Sequence, residues 1–329
     1  MNKMDKQDQF LGCLLGSAIG DAIGYPVEFL TLEQIKKNLG PQGVTGFDSL
    51  RRLDYAKHPI GTYSDDTQMT LATLRGLLRA KNPLDLEEVM NYVSQEYAAW
   101  YQSPDNDRAP GLTCLRGTRK LSEGRSWKES GVDKDGCGAA MRASPVGLLF
   151  YKPEHSHPLI LTAEAVGSCT HANQSAVQSG VVAAKAVAKV VEYDGRDNHY
   201  ATQLMHGSIL GLNRDKKLQD KLKEITDALN DPDEQRAIQS LGHGWKGHEA
   251  VAMALYAFLK SPKDYRATIL RAANIDGDSD SVASIAGAIS GAYNGASAIP
   301  KDLVSPLIGK EEIIRLGKEL YSKSQTLIN

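Results

Sequence analysis

The sequence predicts an all-α fold in a single domain spanning residues 1–329, and three observations lead there. Apolar residues recur at three- and four-residue spacing through most of the chain. Almost no segment alternates apolar and polar positions with β-branched residues, as a half-buried strand would. No linker-like change of composition and no repeat period divides the chain, and a helical domain can reach this length.

The first helix is expected from about Gln7 to Ala22, with Phe10, Leu14 and Ala18 on one side. Gly12, Gly16 and Gly20 form a flat stripe; in an exposed helix each would cost ~1 kcal/mol relative to Ala, so this helix must pack closely against another. Thr31 caps a short helix that Gly40-Pro41 ends. Residues 41–63 are irregular and Gly-rich. A helix from Thr67 to Ala80 buries Leu71, Leu74 and Leu78, and Asn82-Pro83 breaks the chain after it. Asp85 and Glu88 then make a capping box for a helix with Leu86, Val89, Val93, Tyr97 and Trp100 on its core side. After a polar loop over 102–113, further helices are expected over 112–122, 145–151, 159–168, 173–193, 200–211, 215–229, 247–260, 264–273, 280–294 and 311–323. The stretch from Asn230 to Gly244 reads as a longer loop.

The chemistry concentrates at two helix starts. Asp276-Gly277-Asp278-Ser279-Asp280-Ser281 is an acidic, hydroxylated turn ahead of a segment with Val282, Ile285, Ile289 and Tyr293 at helical spacing. Ala283, Gly287 and Gly291 recur every fourth residue there, leaving one side of the helix bare. Helix N-termini favour carboxylates, but several so close together repel and call for a counter-charge, which a metal cation supplies. An EF-hand loop is excluded, because its Gly and Glu positions hold Ser281 and Gly287. A phosphatase-type Asp-x-Asp is excluded too, because a helix end and not a hydrophobic strand precedes it. What remains is a hard-cation site from Asp278, Asp280 and Ser281, short of ligands. Ser64-Asp65-Asp66 opens the second such helix and can supply them. Either turn alone fits a solvated N-cap cluster equally well; both together, each ahead of a core helix, favour the cation site.

The net charge of −2 leaves no electrostatic footprint for nucleic acid or an anionic membrane. Cys13, Cys114, Cys137 and Cys169 lie far apart and read as reduced thiols of a cytoplasmic protein. No apolar stretch reads as long enough to span a bilayer, and residues 1–9 lack a following signal-peptide core.

Four stretches, in order, resemble the ADP-ribosylglycohydrolase family, which includes the dinitrogenase-reductase-activating glycohydrolase. They are Gly16-Ser17-Ala18-Ile19-Gly20-Asp21-Ala22-Ile23-Gly24-Tyr25-Pro26-Val27-Glu28-Phe29, Tyr63-Ser64-Asp65-Asp66-Thr67, Gly136-Cys137-Gly138-Ala139-Ala140-Met141-Arg142-Ala143-Ser144-Pro145 and Gly277-Asp278-Ser279-Asp280-Ser281. The resemblance runs from near residue 9 to residue 300. The family more often has Thr at the positions of Ser279 and Ser281, and Asn at that of Cys137.

The resemblance implies an all-α multi-helix bundle with a dinuclear metal site, and a hydrolase that removes ADP-ribose from modified protein side chains. Two Mg²⁺ ions, with Mn²⁺ as the alternative, would be held by Ser64, Asp65, Asp66, Asp278, Asp280 and Ser281. Glu28 matches a carboxylate at the metal–ribose site and, with Asp65 and Asp280, joins the catalytic set; Asp21 is read as structural, holding the loops around the metals. Asp105 and Asp107 lie where arginine-specific relatives keep an acid near the leaving group, and Asp107 is a second candidate to handle the proton. Thr170-His171 matches a pair whose His touches ribose or diphosphate. Gly138, Ala139, Met141 and Arg142 form a turn suited to a diphosphate, with Arg142 equally readable as a buried ion-pair partner. Trp245, among glycines, reads equally as a plate for adenine or as cover for the core edge. The expected substrate is ADP-ribosyl-arginine on a protein, with ADP-ribose as product and an ADP-ribosyltransferase as a conceivable partner. Serine-linked, O-acetyl- or nucleic-acid-linked ADP-ribose, or capture of ADP-ribose without turnover, are the competing readings.

Overall fold

The computed structural model describes residues 5–53, 58–193 and 215–327. They are almost entirely helical, and among them no strand forms; two isolated bridges join Val132 to His171 and Gly136 to Lys246. The expected helix over 200–211 lies outside the described residues.

The first helix, Lys6–Gly24, and the Ser279–Asn294 helix lie against each other along their lengths at the centre of the molecule. The two small-residue stripes read from the sequence face each other. A Cβ on Gly12 would stand 2.2 Å from the Gly291 carbonyl oxygen, one on Gly16 2.3 Å from that of Gly287, and one on Gly20 2.0 Å from that of Ala283. Backbone meets backbone along this seam, so the axes approach more closely than side chains would permit. Ser17 and Ser284 hydroxyls pair across it at 2.9 Å.

The Asp65–Arg79 helix packs against this pair, and the Leu86–Gln102 helix packs against the Asp65–Arg79 helix in turn. The Gln174–Glu192, Gly247–Lys260 and Tyr265–Ala273 helices also pack against the pair. The C-terminal Lys310–Thr326 helix closes over the first. Local chemistry sets the boundaries: Thr31 and Gln34 form a reciprocal capping box on Leu32–Leu39, and Asp85 accepts from Glu87 and Glu88 N–H at the start of Leu86–Gln102.

Three expectations need correction. The stretch from Asn230 to Gly244 contains a helix, Glu234–Ser240, capped by Asp233. Its only buried residues, Ala237 and Ile238, are adjacent, so no helical period was visible. The Gly138–Met141 segment, read as a turn suited to a diphosphate, is one turn of helix, with Ala140 and Met141 N–H donated to the Cys137 carbonyl. Finally, Lys6–Val27 is by length and composition long and apolar enough to cross a membrane; most of it is buried inside the protein. All four cysteines are free thiols.

Candidate active site

The seam of small residues delivers the site. Where the first helix ends, a Cβ on Gly24 would stand 2.5 Å from the Asp280 Cα, so this helix end rests directly on the start of the Ser279–Asn294 helix. One turn earlier Asp21 is fully buried; it accepts from Ser64 N–H at 2.8 Å, from Thr67 N–H at 2.9 Å and from the Thr67 hydroxyl. Asp21 thereby clamps the N-terminus of the Asp65–Arg79 helix beside that of the Ser279–Asn294 helix. The two acidic turns, more than two hundred residues apart in sequence, become neighbours.

Each turn is organised by its own caps. Ser64 Oγ accepts from Asp66 N–H at 3.2 Å, and Asp65 Oδ2 accepts from Gly111 N–H at 3.2 Å. Asp278 accepts from Ser281 N–H at 3.3 Å, and Asp280 accepts from the same N–H at 3.0 Å. The turn before them holds Gly277 at φ 109°, where a Cβ would meet the His243 carbonyl oxygen at 2.2 Å; only glycine fits. From the first helix a single 3₁₀ turn, Tyr25–Val27, carries Glu28 over the same point. Oxygen atoms of Glu28, Asp278 and Asp280 lie within 4.8 Å of one another.

These groups line a cleft of about 250 Å³ with Asp65, Asp66, Ser281, Gly138, Met141, His171 and Trp245. Burial and mutual repulsion dominate its electrostatics. Burial first, and then the charges of Asp280, Asp278, Asp65 and Asp21, push the Glu28 carboxyl up to about 11. Burial and Asp280 push Asp21 up to about 7. Asp65, Asp66 and Asp278 are raised well above the carboxylate range by burial and then by Asp280. Asp280 itself is raised by burial and moderated by hydrogen bonds from Asp278 and Ser64. Asp66 Oδ2 and Glu28 Oε2 are buried without a hydrogen-bond partner. Buried carboxylates converging from three helix ends, two of them with an oxygen left unpartnered, are the donor set of a hard cation, and the residues present fit one. The cation-binding oxygens available are those of Asp65, Asp66, Asp278, Asp280, Ser281 and Glu28.

Cys137 sits inside this set: its thiol donates to Asp278 Oδ2 at 2.9 Å and lies 3.4 Å from the Ser281 hydroxyl. Burial, followed by the Asp278 and Asp66 charges, pushes the thiol well above its ordinary range and keeps it protonated.

The opposite wall is built on Arg142. It is 0 % exposed and lines no part of the cleft, nor does Ala139. The guanidinium donates to the Gly138 carbonyl at 2.8 Å, to the Val166 carbonyl at 3.0 Å and to the Thr170 hydroxyl at 2.6 Å, and lies over the Tyr97 ring at 4.9 Å. Thr170 Oγ in turn pairs with His171 Nδ1 at 2.7 Å. Arginine can only donate, so the hydroxyl proton is free to go to Nδ1, which leaves the His171 Nε2–H as a donor on the cleft side. Burial, then the Arg142 charge, pulls the His171 pKa down to about 3, so the ring is neutral. Arg142 thereby positions the Thr170–His171 pair at the cleft wall. It is not a carboxylate's ion-pair partner, since its bonds go to carbonyls, a hydroxyl and the Met69 and Cys114 sulfurs.

The remaining expected residues are placed as follows. Ser64 is fully buried behind the cleft, with its hydroxyl on the Asp66 N–H and the Asp280 carboxyl. Asp107 does not line the cleft; its half-exposed side chain is 3.7 Å from His58 Nε2. Its charge, with those of Glu28 and Asp280, raises the Tyr25 phenol to about 12, after burial. Asp105 lines a different cavity. Trp245 is 40 % exposed at the cleft mouth, and Phe29 stacks on it with ring centroids 5.2 Å apart. Phe29 (φ 68°) and the cleft-lining Ala109 (φ 53°) are the described non-glycine residues with positive φ. Each such conformation costs an L-residue roughly 1–2 kcal/mol, and neither residue type advertises it in the sequence.

The ADP-ribosylglycohydrolase family model matches residues 2–328. An uncharacterised protein of Archaeoglobus fulgidus is 29 % identical over 327 residues, covering 98 % of this chain and 99 % of the relative. The ADP-ribosyl-[dinitrogen reductase] glycohydrolase of Rhodospirillum rubrum is 28 % identical over 310 residues, covering 93 % and 92 %. The human ADP-ribosylhydrolase ARH3 is 25 % identical over 352 residues, covering 95 % and 93 %. A solved ADP-ribosylglycohydrolase-related protein complex superposes with a TM-score of 0.72 at 25 % identity, covering 97 % of this chain and 99 % of the other.

Proposed function

Because this chain belongs to the ADP-ribosylglycohydrolase family, a family of metal-dependent hydrolases acting on ADP-ribosylated substrates, we propose that it releases ADP-ribose from modified arginine side chains, with Mg²⁺ as its cation. The observation that carries this reading is the convergence of Glu28, Asp65, Asp66, Asp278 and Asp280 on one cleft, with buried carboxylate oxygens that no protein donor satisfies.

Divalent cations held there would supply Lewis acidity toward water and grip on ribose hydroxyls. The carboxylates do the remaining electrostatic work. Glycoside hydrolysis passes through an oxocarbenium-like state, and a ring of buried negative groups stabilises positive charge at the anomeric carbon. Glu28, carried over the cation set by the Tyr25–Val27 turn, would take and return a proton at the glycosidic atom. His171 offers Nε2–H to a ribose or diphosphate oxygen, and Trp245 an aromatic face at the mouth for the adenine. Asp107, in the loop that also carries the cleft-lining Ala109, would favour a cationic leaving group such as a guanidinium.

The experiment is release of free ADP-ribose from arginine-, serine- and acetyl-linked substrates, run side by side in Mg²⁺, in Mn²⁺ and in excess chelator. Arginine-linked substrate should turn over fastest, in Mg²⁺, and chelator should abolish it. Faster release from serine- or acetyl-linked ADP-ribose would replace the arginine assignment. Tight ADP-ribose binding with no release from any of the three would make the chain a capture or blocking protein instead.

A further inference from the structure

A second cavity, of about 240 Å³, lies between the Phe150–Pro153 turn, the start of the Ser156–Ser168 helix and the C-terminal half of the Gln174–Glu192 helix. It shares no lining residue with the acidic cleft. Along the Gln174–Glu192 helix, roughly 15 Å of rise separates Lys185 from the Ser175 end near His171.

One wall is apolar, built from Phe150, Tyr151, Pro153 and Leu159. The polar lining is Lys152, from the same turn, with Lys185, Lys189 and Glu192. Lys189 pairs with Glu192 at 2.6 Å, and Lys152 lies over the Tyr151 ring at 5.9 Å. Lys185 is different. It is 5 % exposed, and its Nζ is buried with no hydrogen-bond partner. Burial, and then the Lys189 charge, lowers its pKa to about 8, so the ammonium form still predominates at neutral pH. A buried, unpartnered ammonium is costly unless something anionic meets it. The Ser156–Ser168 helix begins at the same cavity without a side-chain cap, which adds the positive end of its dipole. Three ammonium groups stand against one carboxylate, which matches a doubly charged anion.

We propose that this cavity binds a small dianionic phosphate ester with an apolar body, its oxygens taken by the Lys185 ammonium and its body laid on the Tyr151–Leu159 wall. The four-carbon lysine stem lets the ammonium swing to meet the anion, and the aromatic wall separates an ester from free phosphate. The site is independent of the catalytic cations, so its ligand binds whether or not they are present.

The test is calorimetry on the full chain in excess chelator, which keeps divalent cations from recruiting phosphate to the acidic cleft. Phenyl phosphate is the probe, with inorganic phosphate beside it. Phenyl phosphate should bind saturably at one site and several-fold more tightly than inorganic phosphate. Binding should weaken by roughly tenfold or more in Lys185→Met and persist in Lys185→Arg, since a hydrogen bond to a charged group is at stake. Melting provides a second readout. Without ligand, Lys185→Met should melt above wild type, because an unpartnered buried charge is gone; with phenyl phosphate, only wild type and Lys185→Arg should gain. If Lys185→Met does not fold, Lys152→Gln must show a several-fold loss of the same binding. No saturable binding to wild type, or undiminished binding in the Met variant, overturns the site. Equal affinity for the two phosphates overturns the ester assignment.

Discussion

Asp66 has the plainest unmet demand in the cleft: its Oδ2 is buried without a partner, and burial followed by the Asp280 charge raises its carboxyl far above the usual range. Asp66→Asn removes one repelling charge and one cation-binding oxygen. It should weaken cation binding at least tenfold in calorimetry and slow ADP-ribose release by about two orders of magnitude, on the scale of other lost electrostatic stabilisers. The cation-free variant should nevertheless melt above cation-free wild type, because repulsion is relieved. Unchanged cation affinity would remove Asp66 from the ligand set. Ser281 contributes an uncharged oxygen, so Ser281→Thr should titrate like wild type whereas Ser281→Ala should not. On the opposite wall, Thr170→Val takes away both the acceptor for Arg142 and the donor for His171 Nδ1. Stability should fall by about 1–3 kcal/mol and ADP-ribose should bind several-fold more weakly, while cation affinity stays put. Loss of cation affinity in that variant would show that the wall and the cation set are one unit. The carboxylates that converge on the cleft were legible here in the sequence, because crowded carboxylates call for a counter-charge. Arg142 and Ala139 were not, because a one-turn helix carries them inward. Phe29 and Ala109 owe their places to positive φ, which their side chains do not encode.

At the level of helices, the legible feature was each small-residue stripe, and the hidden one was their pairing. Gly12, Gly16 and Gly20 demanded a close neighbour, and so did Ala283, Gly287 and Gly291; nothing in either run said that the neighbour was the other. The structure joins them, and that seam sets where Gly24 and Glu28 stand relative to Asp280. Gly16→Ala would place a methyl 2.3 Å from a backbone oxygen of the partner helix, an atom that cannot swing away. The two helices must separate or shift, and we expect at least ~3 kcal/mol of lost stability by chemical denaturation, the upper end of overpacking costs, together with loss of cation binding. Gly124→Ala is the contrast, since its φ of 86° is strained for Ala but nothing lies within 4 Å. It should cost only about 1 kcal/mol and leave cation binding intact. Equal effects of the two would mean that the seam yields more easily than its backbone contacts imply. The Glu234–Ser240 helix escaped the sequence reading for a different reason: two adjacent buried residues carry no period.

For the molecule as a whole, the site joins the first helix, the Asp65–Arg79 helix and the Ser279–Asn294 helix, so cation binding and global stability must be linked. The sign follows from the raised carboxyls. Asp21 rises from an ordinary value near 3.8 to about 7 in the folded chain, and Glu28 from near 4.5 to about 11. A group whose pKa is raised on folding holds its proton more tightly when folded. Its contribution is therefore complete at pH values below its unfolded pKa and is lost as pH climbs through the folded one. Cation-free protein should accordingly lose stability from about pH 4 upward, through pH 7 for Asp21 and on toward pH 11 for Glu28, as the cluster is forced either to ionise against itself or to keep protons the unfolded chain has released. A divalent cation reverses this, because it binds the deprotonated oxygens and displaces those protons. The upward shift in melting temperature on adding Mg²⁺ should thus grow from pH 6 to pH 8, reaching the equivalent of about 2.7 kcal/mol when the ion stands a hundredfold above its dissociation constant. Melting curves with and without Mg²⁺ across that range, repeated on Asp66→Asn, measure it directly. A shift that is flat with pH, or larger at pH 6, would mean that the cluster is already ionised and balanced in the free protein, and the cation would then have no energetic reason to sit among these carboxylates.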